Sequence, residues 1–414
     1  MKKYDAVIIG AGAAGLFAAG LIAEKGKTVA LIEKNSRVGK KLLITGKGRC
    51  NVTNNCTADD FIKFVNTNAR FMYSAINSFT PDDTMSFFEN HGVALKTERG
   101  NRVFPVSDKS SDIVNALDNF TKNQNTDRYN GKCKALVFNE NGLAGVKLEN
   151  SEIIYGDNVL IATGGKSYPQ TGSDGDGYVL AMQAGHSIVE PKPSLVPVIA
   201  KEDYCRDMMG LSLKNVTLSV LGKKKKPIYE ELGEMLFTHF GVSGPLVLSA
   251  SAHLKGDIND YKMYIDLKPG LSEEQLDRRI LRDFDQNINK DFVNSLGDLL
   301  PRKMIPTVIK LSEIPFECKV NQITKEQRQK LCGIIKHLPV TPTALRSIDE
   351  AIVTAGGVKV KEIDPKTMES KIIPGLYFAG EVIDVDAYTG GFNLQIAFST
   401  AFSAACDIIN KAEE

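Results

Sequence analysis

The sequence predicts an α/β protein: a Rossmann-type parallel-sheet domain, discontinuous in sequence, interrupted by a β-rich middle domain that carries a helical segment. Three stretches carry this reading. The chain opens on a strand, a glycine turn, a helix and a second strand, "YDAVIIGAGAAGLFAAGLIAEKGKTVALIEK". A later strand ends in a Thr-Gly-Gly turn, "DNVLIATGG", Asp157 to Gly165. The last stretch, from Ile373, is a short strand, a glycine pair and a long helix of small residues.

In the first stretch, Tyr4 to Ile9 is an apolar run without polar alternation, as a buried parallel strand requires. Gly10-Ala11-Gly12-Ala13-Ala14-Gly15 follows without a spacer, and Leu16 to Lys25 reads as an alanine-rich helix. Thr28 to Ile32 is the next strand, ending in the acidic Glu33. Each part suits a dinucleotide: Gly10 for the tight turn, Gly12 for backbone approach to a pyrophosphate, Gly15 for close helix–strand packing. The helix N-terminus offers unpaired N–H groups and partial positive charge. Glu33 can accept hydrogen bonds from both ribose hydroxyls, and an acid there disfavours a 2′-phosphate. FAD and NAD remain.

The C-terminal stretch chooses between them. Gly375 to Ala379 reads as a strand, Gly380-Glu381 follows, and Gly390-Gly391 precedes a helix from about Asn393. Backbone N–H groups at that helix start (Gly391, Phe392, Asn393, Leu394, Gln395) suit the electron-rich edge of a flavin. FAD enzymes of the glutathione-reductase-like fold have this closing element and NAD domains do not. Thr163-Gly164 agrees, as the turn where the chain returns to the cofactor. Gly175-Asp176-Gly177 opening a helix resembles the equivalent segment of the fumarate reductase and L-aspartate oxidase group.

"GKKLLITGKGRCNVTN", Gly39 to Asn54, follows Glu33 and so runs alongside the cofactor. Lys34, Lys40 or Lys41, and Arg49 can offset phosphate charge; Gly46 and Gly48 allow close backbone approach. Thr45, Asn51 and Thr53 supply hydrogen bonds. Cys50 reads as packing beside the flavin rather than as a nucleophile, because no histidine stands near it in sequence.

The chain resembles the bacterial FAD-dependent family described as NAD(FAD)-utilising dehydrogenases, which includes aminoacetone oxidase and a bile-acid-pathway flavoprotein. "GAGAAG", "KKLLITGKGRCNVTN", "ATGG", "FTHFGVSGPLVLSAS" and "AGEVIDVDAYTGGFNLQIAFSTA" carry the resemblance. It implies a split FAD domain around a β-rich middle domain with a helical segment, and it implies no single substrate. It also implies that the 39–54 segment lines the pyrophosphate and one side of the flavin.

The expected boundaries are 1–192 and 346–414 for the FAD domain, 193–271 and 301–345 for the β-rich domain, and 272–300 for its helical insert. Phe61 to His91 reads as two helices around Pro81, followed by a strand pair, a helix and a hairpin at Asn141-Gly142. These read as an insertion that roofs the flavin. Short alternating strands from Pro193 suggest an antiparallel sheet or small barrel. Ser272 to Leu300 and Thr324 to Leu338 read as helical.

At 414 residues, two or three domains are expected. With 51 basic and 50 acidic residues, the chain lacks the charge excess of a broad nucleic-acid surface. The run Lys223 to Lys226 reads as a solvated hairpin tip. No run of 18 apolar residues suggests a membrane span, and seven scattered cysteines suggest reduced thiols and a cytoplasmic location. Neither a metal site nor an oligomeric state is legible.

The expected activity is that of an FAD-dependent oxidoreductase on a small or medium organic substrate. An NAD(P)H-driven reductase leads, with an activated C=C bond as one target, and with NADH or NADPH binding transiently because no second GxGxxG is present. An O₂-using amine oxidase and, in another class, a flavin-dependent RNA-modifying protein stay open. Catalytic candidates are His239, at a strand-to-loop junction in "FTHFGVSGP", and Tyr388, directly before the glycine pair.

Overall fold

The computed structural model describes residues 2–412 except Asn141 and Lys225. One residue of the expected Asn141-Gly142 turn and one of the lysine run therefore lie outside the described residues. The chain divides into two compact units, Met1–Ser194 with Ile348–Glu414, and Leu195–Ser347.

The first unit opens with β1 (Lys3–Ile9), α1 (Ala13–Glu24), β2 (Val29–Glu33), α2 (Lys40–Ile44) and β3 (Thr53–Asn54). Three helices follow, α3 (Ala58–Ile62), α4 (Ala69–Ser78) and α5 (Pro81–Asn90), then β4 (Leu95–Glu98), β5 (Arg102–Pro105) and α6 (Ser110–Phe120). Next come β6 (Thr126–Asn130), β7 (Cys133–Asn139), β8 (Gly142–Leu148), β9 (Ile153–Ile161), α7 (Asp176–Gln183) and β10 (Ile188–Ser194). The second unit holds β11 (Val198–Ala200), α8 (Tyr204–Asp207), β12 (Ser212–Leu221), β13 (Pro227–Thr238), β14 (Gly241–Ser243), α9 (Pro245–Ser251) and β15 (Lys262–Asp266). It continues with α10 (Glu273–Asp285), α11 (Ile305–Ser312), α12 (Lys325–Lys336), β16 (Leu338–Val340) and β17 (Pro342–Leu345). The chain then returns to the first unit as β18 (Val353–Val358), β19 (Leu376–Phe378) and α13 (Phe392–Lys411).

The main sheet has the order β6-β2-β1-β9-β8-β7, with β19 also on β9. β6, β2, β1, β9 and β19 run parallel. Parallel strands covered on both faces carry unbroken apolar runs, and Val29 to Ile32 are buried accordingly. The β7–β8 hairpin was expected in the roof; it instead extends this sheet in antiparallel register beyond β9. β3, β5 and β4 form a separate three-stranded sheet.

α1 buries nine of its twelve residues, so it shows no polar face. It packs against α13, and the buried Phe17 meets the rings of Phe79, Phe87, Phe120 and Phe398 at 4.9–6.5 Å between centroids. α13 is long and apolar enough to cross a membrane, which the sequence reading did not find, and twelve of its twenty residues are buried within the unit. α5 starts with a capping box between Thr80 and Asp83, with Pro81 at its first position, where a missing N–H costs nothing.

The second unit is built on an antiparallel sheet of order β16-β15-β12-β13-β14-β11-β17. Its helical stretch does not stop at residue 300. α10 ends at Asp285, α12 falls on the helix expected over Thr324 to Leu338, and α11 is a further helix within 301–345. Capping boxes at Ser272/Gln275 and Thr324/Gln327 start α10 and α12, and Arg328 grips Asp277 through two hydrogen bonds of 2.6 and 3.2 Å.

In the first unit, His186 is buried, with Nε2 2.8 Å from Ser370 Oγ and Nδ1 3.3 Å from Glu362 Oε2. Burial holds its pKa below the ordinary value, against the opposing pull of Glu362. A depressed histidine makes the unfolded chain the better proton binder just below pH about 6.5. Stability should therefore fall as pH drops through about 6.5 and level off below the folded value. Urea titrations at pH 7.5 and 5.5 should show a smaller pH difference for His186→Gln than for the wild type.

Candidate functional site

The glycine turn after β1 shows three different needs. Gly10 has φ +103°, and an ideal Cβ there would lie 2.6 Å from the Ala162 carbonyl oxygen of the neighbouring strand exit. At Gly15 a Cβ would lie 1.8 Å from the Gly10 oxygen, so only glycine lets α1 start this close to β1. At Gly12 a Cβ would meet nothing within 4 Å. Gly12 caps α1 without a side-chain hydrogen bond, and no acid stands in the first turn. Open space above a helix start with uncapped N–H groups, those of Ala13, Ala14 and Gly15, is an anion-binding geometry.

The parallel register brings the other motifs to the same edge. Ile9 pairs with Ile32 and Ile161, and Ile161 pairs with Phe378. Glu33, Gly10, Thr163-Gly164 and Gly380 therefore leave the carboxyl ends of adjacent strands, where open α/β sheets bind ligands. Glu33 Oε2 accepts from Ala11 N at 2.9 Å, and Oε1 accepts from Asn35 N and Nδ2 at 2.8 and 2.7 Å. A carboxylate offers about four acceptor positions, so one remains for a hydroxyl. Gly380 donates to Thr400 Oγ1 at 2.9 Å and passes close to Ala14 and Ala397, locking the edge between α1 and α13.

The cations assigned to the cofactor are already paired. Lys34 Nζ donates to Asp174 and Asp176 at 2.7 and 2.6 Å. Arg49 binds Asp108 at 2.7 Å and Glu98, and its guanidinium stacks 4.0 Å from the Phe104 ring centroid. Lys41 Nζ lies 2.6 Å from both Glu381 Oε2 and Ser167 Oγ. Glu381 Oε1 accepts from Thr354 N at 2.8 Å and from Ser167 Oγ at 3.0 Å. Arg49 thus ties the 45–51 loop to Glu98 of β4 and to Asp108, and Lys41 ties α2 to the turn after β19. The backbone N–H groups at the start of α1, by contrast, have no side-chain cap.

At the far end, Gly391 has φ +99° and caps α13, and a Cβ there would lie 2.2 Å from Thr53 O. The side chains that follow turn inward. Gln395 is fully buried; its Oε1 accepts from Thr53 and Thr84 and its Nε2 donates to Phe79 O and Ser399. Asn393 closes on the backbone of Ala387 and Tyr388, and Phe392 stacks on Phe64 at 4.7 Å. What these residues and the half-buried Leu394 offer a ligand is main-chain N–H, because the helix start has no side-chain cap.

Residues 46–50 hold an unusual backbone: Gly46, Lys47, Gly48 and Cys50 all have positive φ. Thr45 Oγ1 donates back to Lys41 O at 2.8 Å. Cys50 is fully buried, and burial pushes its thiol up to about 12, so it carries no thiolate at neutral pH. Asn51 Oδ1 is buried without a hydrogen-bond partner, an acceptor free for a donor from a bound group. The open space over Gly12 and this free acceptor both fit an extended dinucleotide.

Of the catalytic candidates, Tyr388 is half-buried with its ring edge-on to Phe64 at 5.7 Å. His239 is exposed on the two-residue turn between β13 and β14, beside Phe240. α9 after it has seven residues and starts at Pro245, which has no N–H to offer an anion. Sequence reasoning missed Ser167 and Thr354, the hydrogen-bond partners of Glu381. Only their closeness to the Thr-Gly-Gly turn and to "VTAGG" could have drawn attention to them.

The family described as "HI0933-like protein Rossmann domain" matches residues 4–407. The ribosomal RNA dihydrouridine synthase of Escherichia coli K12 is 31% identical over 414 residues, covering 99% of both chains. The 3-dehydro-bile acid delta(4,6)-reductase of Clostridium scindens is 30% identical over 403 residues, covering 96% of this chain and 97% of that protein. In fold, a flavocytochrome c3 fumarate reductase superposes with a TM-score of 0.54 at 17% identity, over 100% of this chain and 79% of that one.

Two outcomes follow from the site. Glu381→Gln and Lys41→Met should each weaken retention of FAD about tenfold or more, since a charge-assisted hydrogen bond is worth about 1.5–3 kcal/mol. The double variant should bind no worse than the weaker single, as fluorescence titration of released flavin will read. Cys50 should resist Ellman's reagent in the native protein at pH 8 and react after unfolding, as peptide mapping of the labelled cysteine will read.

Proposed function

We propose, from the premise that this chain belongs to the HI0933-like family of FAD-dependent oxidoreductases, that it reduces a C=C bond conjugated to a carbonyl. The observation that supports a bound flavin dinucleotide is the open backbone cradle over Gly12, at the edge shared by Glu33, Thr163-Gly164 and Gly380. The relatives supply the direction of the reaction. Dihydrouridine forms by saturating the uracil C=C next to a carbonyl, and a 3-dehydro Δ4,6 steroid has its diene conjugated to the 3-oxo group.

FAD, when bound, would supply the hydride chemistry, with a nicotinamide as the source of electrons. The chain's own residues would do the rest. Gly10, Gly12 and Gly15 would let the pyrophosphate rest on the start of α1. Glu33 would take a ribose hydroxyl at its remaining acceptor position. The Lys41–Glu381 pair would hold the loop after β2 against β19, and the start of α13 would stabilise negative charge on the reduced ring. NADH or NADPH would bind transiently, since the sequence has one glycine fingerprint.

A small or medium organic enone is the first substrate class, for which the bile-acid reductase is the guide. A uracil base in ribosomal RNA is the second reading, favoured by the relative of that name at 31% identity. The holoenzyme should bleach anaerobically with NADH or NADPH, and the reduced enzyme should be reoxidised by a 3-oxo-4,6-diene steroid or by ribosomal RNA lacking dihydrouridine. Bleaching by neither nucleotide removes the nicotinamide donor. Reoxidation by O₂ alone, with no reduced product, replaces the reductase by an oxidase.

A further inference from the structure

We infer that Asp386 and Asn66 hold a monovalent metal cation, potassium or sodium, inside the first unit. Asp386 lies in the stretch between β19 and α13 and is 2% exposed. A carboxylate taken this far from water needs a cation or a full set of hydrogen bonds. Its Oδ2 accepts from Ser194 Oγ at 2.8 Å and from Asn66 Nδ2 at 3.2 Å. Its Oδ1 is buried without a hydrogen-bond partner, and among the described residues no lysine, arginine or histidine pairs with the carboxylate. Asn66 faces it with the same deficit, because its Oδ1 is also buried without a partner. Turning that amide over would set its oxygen against Asp386 Oδ2, so the nitrogen belongs where it is. Two orphaned acceptors therefore stand on side chains joined by one hydrogen bond.

The chemistry of these atoms selects the occupant. Buried acceptors in native proteins are met by a donor, a water or an ion. A water would bring two protons and no charge, leaving the Asp386 carboxylate unbalanced; a cation meets both needs. Carboxylate, amide and hydroxyl oxygens are hard ligands, suited to alkali and alkaline-earth ions rather than to transition metals. Among the described residues, no three His, Cys, Asp or Glu side chains gather as a metal centre. One carboxylate brings one negative charge, so a monovalent ion leaves the buried site neutral and a divalent ion would not. Asp384, two residues earlier, has its Oδ2 engaged by Asn68 Nδ2 at 3.0 Å.

The position of the pair gives the ion a mechanical role. Asn66 N donates to Asp386 O at 2.8 Å, Tyr388 N donates to Phe64 O at 3.0 Å, and Val65 bridges to Ala387. The segment between α3 and α4 is thus laid along 386–388. Asn393, in the first turn of α13, closes on Ala387 and Tyr388. A cation shared by Asn66 and Asp386 would clamp the two segments together and steady the approach to Gly390-Gly391.

Thermal melting of the FAD-loaded protein in potassium, sodium and choline acetate at equal ionic strength tests this. Screening is then the same in all three, and choline is too large to enter. Potassium or sodium should raise Tm by about 2 °C or more above choline, the better ion being the occupant. Asp386→Asn keeps the shape and removes the charge, and it should abolish that difference. Asn66→Ala, at a less buried position, should cut the difference by about half or more. Equal Tm in the three salts overturns the inference, as does an Asp386→Asn variant that keeps the wild-type difference. Where Asp386→Asn does not fold, Asn66→Ala decides: a reduced difference supports the site and an unchanged one overturns it.

Discussion

The carboxylate of Glu381 is where the first unit closes. It receives Lys41 Nζ, Ser167 Oγ and Thr354 N at 2.6, 3.0 and 2.8 Å. Those groups come from the loop after β2, the loop after β9 and strand β18, so one side chain gathers segments more than 300 residues apart. A charge withdrawn this far from water is tolerated only with a cation and hydrogen bonds around it. Gly165 makes the approach possible, since a Cβ there would lie 2.5 Å from Thr354 Oγ1 and 2.8 Å from Glu381 Oε1. The glycine after the Thr-Gly turn is required by this packing as much as by any ligand.

That arrangement shapes the electrostatics of the site. Lys34, Lys41 and Arg49 each sit on carboxylates, so they present ion pairs rather than bare charges. What α1 offers an anion is a preorganised row of backbone N–H groups without a side-chain cap. Such donors do not titrate and cost no reorganisation when a ligand arrives. The same economy appears at α13, whose first side chains are occupied internally by Thr53, Thr84 and the Ala387–Tyr388 backbone.

Much of the first unit could be read directly from residues. The glycine fingerprint, the strand runs and Glu33 obey local rules of backbone sterics and burial, and the structure finds β1, α1 and β2 within three residues of the expected bounds. The Asn393 and Gln395 side chains were legible as residues of a helix start but not as inward-facing ones. A helix start fixes where N–H groups point, whereas the direction of a side chain depends on which elements pack beside it. The β7–β8 hairpin was legible as a hairpin, yet its attachment to the main sheet depends on a pairing with β9 that no local pattern encodes.

By itself, then, the sequence determined the strand–turn–helix unit, the two glycine-rich returns to it and the acid that ends β2. It also made Cys50 a packing residue rather than a nucleophile, because no histidine stands near it in sequence. Only the tertiary structure decided the partners of the charged residues, the unpaired oxygens of Asn66 and Asp386 and the Glu381 cluster. The physical reason is range. Steric limits on glycine and the periodicity of burial act within a few residues, whereas an ion pair or a pair of buried oxygens exists only once distant segments have been brought to within hydrogen-bond length.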